Sequence, residues 1–177
     1  MTEFQSLGLS WRCLHLPGPF ACDLARARAV ERRIHSVIAS WEDTPYAIGQ
    51  AVKGVGVFCT AFVSRVLDEL YRQEPVDLPN LPQDVSFHNR DGAVRGMRWF
   101  LERYPNDPVE DGVVEPGDVL VTGPDGGGPG HAMIVGAREN TIWQSSGRVG
   151  VHFTGMSLAT DYVLHRIFRP RDRHTWV

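Results

Sequence analysis

The sequence predicts an α+β domain, with helices in the first part of the chain and a meandering antiparallel sheet in the second. Three observations carry that prediction. From residue 23 to 104 apolar side chains recur at helical spacing, from Val109 onward the period shortens to that of strands, and the two patterns are segregated rather than interleaved as in βαβ units. At 177 residues, 42% hydrophobic and 22% charged, the chain fits one domain over 1–177 with one core.

Composition narrows the function classes. A formal net charge of −3 provides no whole-chain attraction to nucleic acid or to an anionic membrane, so neither is an expected partner. Three cysteines, at positions 13, 22 and 59, do not make a disulfide framework. A reducing compartment follows, and Cys13 and Cys22 read as structural. Met1 to Asp23 lacks a basic region followed by an apolar run, and no stretch reaches bilayer-spanning length. The expectation is a cytoplasmic protein, with delivery outward by a phage or secretion system as the alternative.

Residues 1–22 read as an irregular arm with a turn at Pro17-Gly18-Pro19. Asp23 then serves as N-cap of a first helix whose stripe is Leu24, Ala27, Val30, Ile34, Val37, Ile38 and Trp41, ending at Asp43-Thr44-Pro45. Arg26, Arg28, Arg32 and Arg33 fall on its wet face. A loop with Gly49, Gly54 and Gly56 leads into a second helix that opens at Cys59, buries Phe62, Val63, Val66, Leu67 and Leu70, and ends near 71–73. Pro75, Pro79 and Pro82 predict an extended connection over 75–87. A third helix is expected over 89–104, with Val94, Met97, Leu101 and Tyr104 on one face, Gly92 and Gly96 weakening it and Pro105 stopping it.

The second part of the chain opens with turn chemistry at Glu115-Pro116-Gly117-Asp118, where Asp118 fixes the turn ahead of a strand over 119–121. A mobile glycine-rich rim over 123–130 separates it from strands expected at 131–137, 141–145, 149–153 and 162–168. Residues 136–140 and 146–148 supply the turns between the first three. The stretch 169–177 reads as a polar, peripheral tail.

Cys59 stands in the first turn of a helix, where unpaired N–H groups and the helix dipole favour a thiolate. The alternative is a small buried hydrophobe, the commonest fate of a free cysteine. His131 is the best placed of the seven histidines to act as its base, because it opens an apolar strand directly after the flexible rim. His15, His35, His88 and His174 fall in less constrained contexts, and His152 and His165 read as ordinary mid-strand residues. On the next strand Gln144 can accept the Nδ1–H of His131 and leave Nε2 facing sulfur, while Trp143, on the opposite face, packs. A solvent-facing glutamine is the other reading. The glycine-rich rim lacks the Gly-Lys-Ser/Thr ending of a phosphate loop, and Cys-x-x-Cys and His-Glu-x-x-His patterns are missing, so no metal or cofactor is expected.

Read in order, Thr44-Pro45-Tyr46, a glycine-containing loop, Cys59 opening an amphipathic helix, Glu115-Pro116-Gly117-Asp118-Val119, Gly130-His131-Ala132-Met133-Ile134-Val135 and the strand with Gln144 form a series. That series resembles the NlpC family of papain-like cysteine peptidases over roughly residues 24–168. The resemblance implies a cysteine helix packed on an antiparallel sheet, and hydrolysis of amide bonds in bacterial cell-wall (peptidoglycan) peptides, commonly beside a D-glutamyl residue. It makes Cys59 the nucleophile, His131 the base and Gln144 the orienting group. Tyr46 matches a tyrosine that lines the site near the sulfur, although by itself it reads equally as a half-buried aromatic after a turn proline.

Where the family has Asp-Cys-Ser-Gly, this chain has Phe58-Cys59-Thr60-Ala61. Thr60 keeps the serine's hydroxyl, and the acid that helps the family bind a free amine is replaced by Phe58. The expected partner is a peptide or peptidoglycan-stem substrate. Two other classes stand beside this one: a non-catalytic binding or assembly module of the same fold in a phage tail or secretion apparatus, and an acyltransferase or amidase acting on a cytoplasmic substrate.

Overall fold

Apolar residues three and four positions apart make the two α-helices found among the described residues, and alternation makes the main sheet. The structure, a computed structural model, describes residues 9–14, 16, 22–73, 102–124, 130–155 and 162–177. The turn expected at 17–19, the connection over 75–87, residues 89–101 of the expected third helix and the tip of the glycine-rich rim at 125–129 lie outside the described residues.

Helix α1 (Cys22–Ala39) buries Ala27, Val30, Ile34, Val37 and Ile38, and Trp41 continues the stripe into the following turn. Leu24 is exposed, so the stripe starts one turn later than its sequence pattern indicates. The expected wet face is only partly so. Arg26 donates to the His174 carbonyl and Arg33 to the Glu69 carbonyl, which makes two of the four arginines ties to other elements.

Helix α2 (Cys59–Tyr71) is buried on nearly every face. Phe62, Val63, Val66, Leu67 and Leu70 have no exposure at all, and Ala61, Ser64 and Asp68 on its other faces are also buried. It stops where Arg72 turns left-handed (φ 54°) and returns its N–H to the Asp68 carbonyl, a helix ending that usually takes glycine.

The main sheet is built from β4 (Asn106–Pro108), β6 (Val119–Pro124), β7 (His131–Val135), β8 (Thr141–Ser146), β9 (Gly150–Gly155) and β10 (Tyr162–Pro170), in the order β4-β10-β6-β7-β8-β9 with every neighbour antiparallel. The class is therefore α+β. Val119, Val121, Ala132, Ile134, Trp143 and Val151 face the helices and join their core. Alternation sends Leu120, Met133, Val135, Ile142 and Ile167 to the other face, where they form a smaller core with Val114.

The short strands β1 (Ser10–Trp11), β2 (Ala51–Val52), β3 (Gly56–Val57) and β5 (Val113–Val114) had no counterpart in the sequence pattern. Two-residue strands have no period to read. The edge strand β4 contains Pro108, which an edge tolerates because a missing N–H is not needed there.

Two expectations about the ends of the chain are corrected. The described part of the arm is tied to the fold, since β1 pairs in parallel with β5 and Leu14 and Leu16 are buried. The tail over 169–177 is an anchor and not a periphery. Trp176 is fully buried and stacks edge-on against Tyr71, and it sits so close to Gly117 (φ 86°) that a Cβ there would lie 2.9 Å from its ring.

Beneath that contact lies a buried ionic cluster. Glu115 accepts from Arg12 at 2.6 Å and from Arg173, while Asp118 accepts from Arg169 at 2.8 Å and from the Glu115 N–H at 2.9 Å. Asp118 thus holds the turn as its position predicted, and the cluster joins arm, turn, β10 and tail. Burial works against the Glu115 carboxylate, but the Arg173 charge and the hydrogen bonds from Arg173 and Arg12 hold its pKa below the ordinary range. Among the described residues no helix is long and apolar enough to cross a membrane.

Candidate active site

The nucleophile candidate is positioned by the backbone on either side of it. Tyr46 bridges Val57 in parallel, the Val57 N–H donates to the Pro45 carbonyl at 2.9 Å, and Val57 returns its own carbonyl to the Ala47 N–H at 3.3 Å. The same carbonyl accepts from the Ser145 hydroxyl of β8 at 2.8 Å. The chain is thereby fixed two residues before Cys59. Phe58 occupies the N-cap of α2 and offers no side-chain cap, and the first hydrogen bond of the helix runs from the Phe62 N–H to the Phe58 carbonyl at 2.8 Å. An apolar cap leaves the first N–H groups of the helix without the carboxylate or hydroxyl acceptor that usually fills this place.

Cys59 is 3% exposed, and its sulfur is hydrogen bonded to His131, with further contacts to the Ala132 backbone and to Thr60, whose Oγ1 lies 3.9 Å away. Burial alone pushes a thiol pKa up. Here the charge of His131 and these hydrogen bonds outweigh burial and hold the thiol below its ordinary value. The reciprocal holds for His131: burial favours the neutral ring, yet the Cys59 charge and the hydrogen bonds the ring donates to Cys59 and Gln144 raise its pKa above the ordinary histidine value. Opposite shifts on two touching groups bring the thiol and imidazole affinities toward one another, the direction that favours a thiolate and imidazolium pair.

His131 opens β7, and Gln144 lies in the middle of β8, its neighbour in the sheet. His131 Nε2 is 2.7 Å from Gln144 Oε1. The nitrogens are used the opposite way round from the sequence expectation. With Nε2 engaged by the amide, Nδ1 is the nitrogen left for sulfur, because a ring standing at the strand end reaches the neighbouring strand with its far nitrogen and the helix N-terminus with its near one. The chemistry expected of the trio is unchanged by the exchange.

The structure thus brings Cys59, His131, Gln144 and Thr60 together. Tyr46 is tied to the segment ahead of Cys59 by its backbone bridge to Val57, and its half-buried ring lies toward the β8–β9 turn, 3.9 Å from where a Cβ on Gly147 would stand. Cys13 is free and exposed and takes no part. His35, His165 and His174 belong to α1, β10 and the tail.

The residue that sequence reasoning missed is His152. It is the direct cross-strand partner of Gln144, with its Nε2 3.4 Å from the Gln144 amide nitrogen and its Nδ1 3.0 Å from the Gly150 carbonyl. The turn falls one residue later than the 146–148 expected, at 147–149, so Ser146 pairs with Gly150 and Gln144 faces His152 on one side of the hairpin, whereas the expected turn would set Gln144 against Gly150.

No family model matches this chain, and no curated protein matches it significantly. The geometry therefore bears the functional argument alone. What it can do chemically is transfer an acyl group to sulfur, with an imidazolium available to protonate a leaving group.

Proposed function

We propose that this chain is a papain-like, NlpC-type cysteine hydrolase that cleaves an amide bond. The single observation that carries the reading is the buried Cys59 sulfur, at the start of α2, hydrogen bonded to a His131 whose other nitrogen is held by Gln144 at 2.7 Å. In the proposed reaction the Cys59 thiolate attacks the substrate carbonyl carbon, and the C=O electron pair moves to oxygen. The Cys59 backbone N–H, at the uncapped helix start, supports that oxyanion. Collapse of the intermediate breaks the C–N bond as the His131 imidazolium gives its proton to the departing amine. Water, deprotonated by the now neutral His131, then hydrolyses the thioester and restores the ion pair.

Bacterial cell-wall stem peptides are the substrate class that the resemblance favours, reached from the cytoplasm or by way of a phage or secretion system. One observation favours a second substrate. Phe58 is 5% exposed and apolar where the family carries an acid, so this position offers no counter-charge to a substrate's free amine, which favours a substrate without one. An amidase or acyltransferase acting on a blocked or cytoplasmic acyl compound is accordingly the alternative.

The test pairs stem peptides carrying free and acetylated amino termini, with product analysis and mass spectrometry for a covalent acyl adduct on Cys59. Cleavage of either form with a trapped Cys59 thioester is the expected result, and faster cleavage of the acetylated form selects the second substrate class. Neither adduct nor product from a panel of amides, esters and thioesters contradicts the hydrolase reading and leaves a binding or assembly module.

A further inference from the structure

Gln144 has to be held one way round. If His131 is an imidazolium, both its ring nitrogens carry protons, so the group facing Nε2 must be an acceptor. Only the amide oxygen qualifies, which fixes the orientation seen here, with Gln144 Oε1 at 2.7 Å from His131. The NH₂ end is then turned toward His152 Nε2 at 3.4 Å. An imidazole nitrogen facing an NH₂ group must in turn be the acceptor, which puts the ring proton of His152 on Nδ1. Nδ1 lies 3.0 Å from the Gly150 carbonyl, which can only accept.

Each group in the row therefore has one consistent role, and donation runs in a single direction from His131 through Gln144 and His152 to Gly150. The far end is rigid. Gly150 has a positive φ of 81°, and its α-carbon is so close to the Thr44 carbonyl that a Cβ would lie 2.4 Å from that oxygen. Val151 beside it exchanges backbone hydrogen bonds with Asp43 and Thr44, the Val151 N–H donating at 2.8 Å and its carbonyl accepting at 3.1 Å. β9 is thus clamped to the segment that leads to Tyr46 and Cys59.

We infer that His152 is a positioning residue of this site: as a neutral Nδ1–H tautomer anchored on Gly150, it accepts from the Gln144 amide and so keeps Oε1 turned toward the His131 imidazolium. The inference rests on the hydrolase reading, because it gives the ion pair of that reading a fourth member. His152 touches neither sulfur nor substrate, and it acts through Gln144. The Gln144 to His152 contact is long, which sizes its effect as modest.

The experiment measures the iodoacetamide alkylation rate of Cys59 against pH, with the modified peptide resolved from those of Cys13 and Cys22 by mass spectrometry. His152→Ala is expected to react roughly fivefold more slowly near neutral pH, the loss of about one hydrogen bond, with an unchanged plateau at high pH where every thiol is ionised. His152→Asn and His152→Gln give a matched polar pair. Asparagine places its amide at the Nδ1 position and cannot reach Gln144, whereas glutamine carries an oxygen to the Nε2 position and should restore the rate to within about twofold.

A high-pH plateau that falls together with the neutral rate marks general disruption and overturns the inference, and so does equal behaviour of the asparagine and glutamine variants. Wild-type Cys59 reacting as an ordinary thiol overturns both this inference and the hydrolase reading. Activated wild-type Cys59 with an indifferent His152→Ala overturns this inference alone.

Discussion

Two sets of ionisable side chains, each built around buried groups, hang on the same sheet and differ in what they can do. At the entry to β6 and the end of β10, Glu115 and Asp118 meet Arg12, Arg169 and Arg173. At the entry to β7, Cys59 meets His131. The first set pairs acids with guanidiniums, whose proton affinities lie far apart, so no proton passes between the partners. The second pairs a lowered thiol with a raised imidazole, whose affinities have been brought close to one another. Burial and charge alone therefore do not mark a reactive site. A pair able to exchange a proton near neutrality does.

Substitutions can break this contrast from either side. Cys59→Ala and His131→Ala should each lower turnover on the order of 10³-fold or more, while Cys59→Ala changes folding stability by only about 1 kcal/mol. Kinetics and urea unfolding of the same preparations check both halves. Arg173→Ala should do the reverse, costing about 3–5 kcal/mol because Glu115 is left buried without its principal partner, with Cys59 reactivity in the folded fraction retained.

Glu115 gives the ionic cluster a pH signature, while burial moves Asp118 the other way, above its ordinary value. The folded-state pKa of Glu115 lies below its unfolded value, so its contribution is complete above the ordinary carboxylate range, near pH 4.3, and is lost as pH falls through the folded value. Wild type should accordingly lose more stability on acidification than Arg173→Ala, a difference readable from urea midpoints across the acid range. Gly150→Ala should have the smallest effect, destabilising by about 1–3 kcal/mol through strain against Thr44, with a slower Cys59 reaction because the anchor of His152 shifts.

Much of this contrast was legible in the chain itself, and the residues that were not share physical reasons. The helical stripe after Cys59, the strand that begins at His131 and the alternation that separates Trp143 from Gln144 are all local patterns of apolar spacing, and local patterns survive folding. His152 read as an ordinary strand residue because its role depends on register across a hairpin, a relation between two segments. The buried tail failed for a related reason. Arg171, Arg173 and His174 look solvated in sequence, and only the fold supplies the carboxylates that take Arg173 inward and the Gly117 surface that receives Trp176. The choice of ring nitrogen on His131 is likewise set by where a strand ends relative to a helix.

The most direct test of the central claim is the thiolate absorbance of Cys59 against pH, taken as the difference between wild type and Cys59→Ala and repeated in a His131→Ala background. The account predicts a wild-type thiolate that persists below the ordinary thiol pKa, and one that in His131→Ala appears only above it, because burial is then opposed only by the weaker contacts to Ala132 and Thr60. A wild-type thiol that ionises at or above the ordinary value, unmoved by loss of His131, would contradict it.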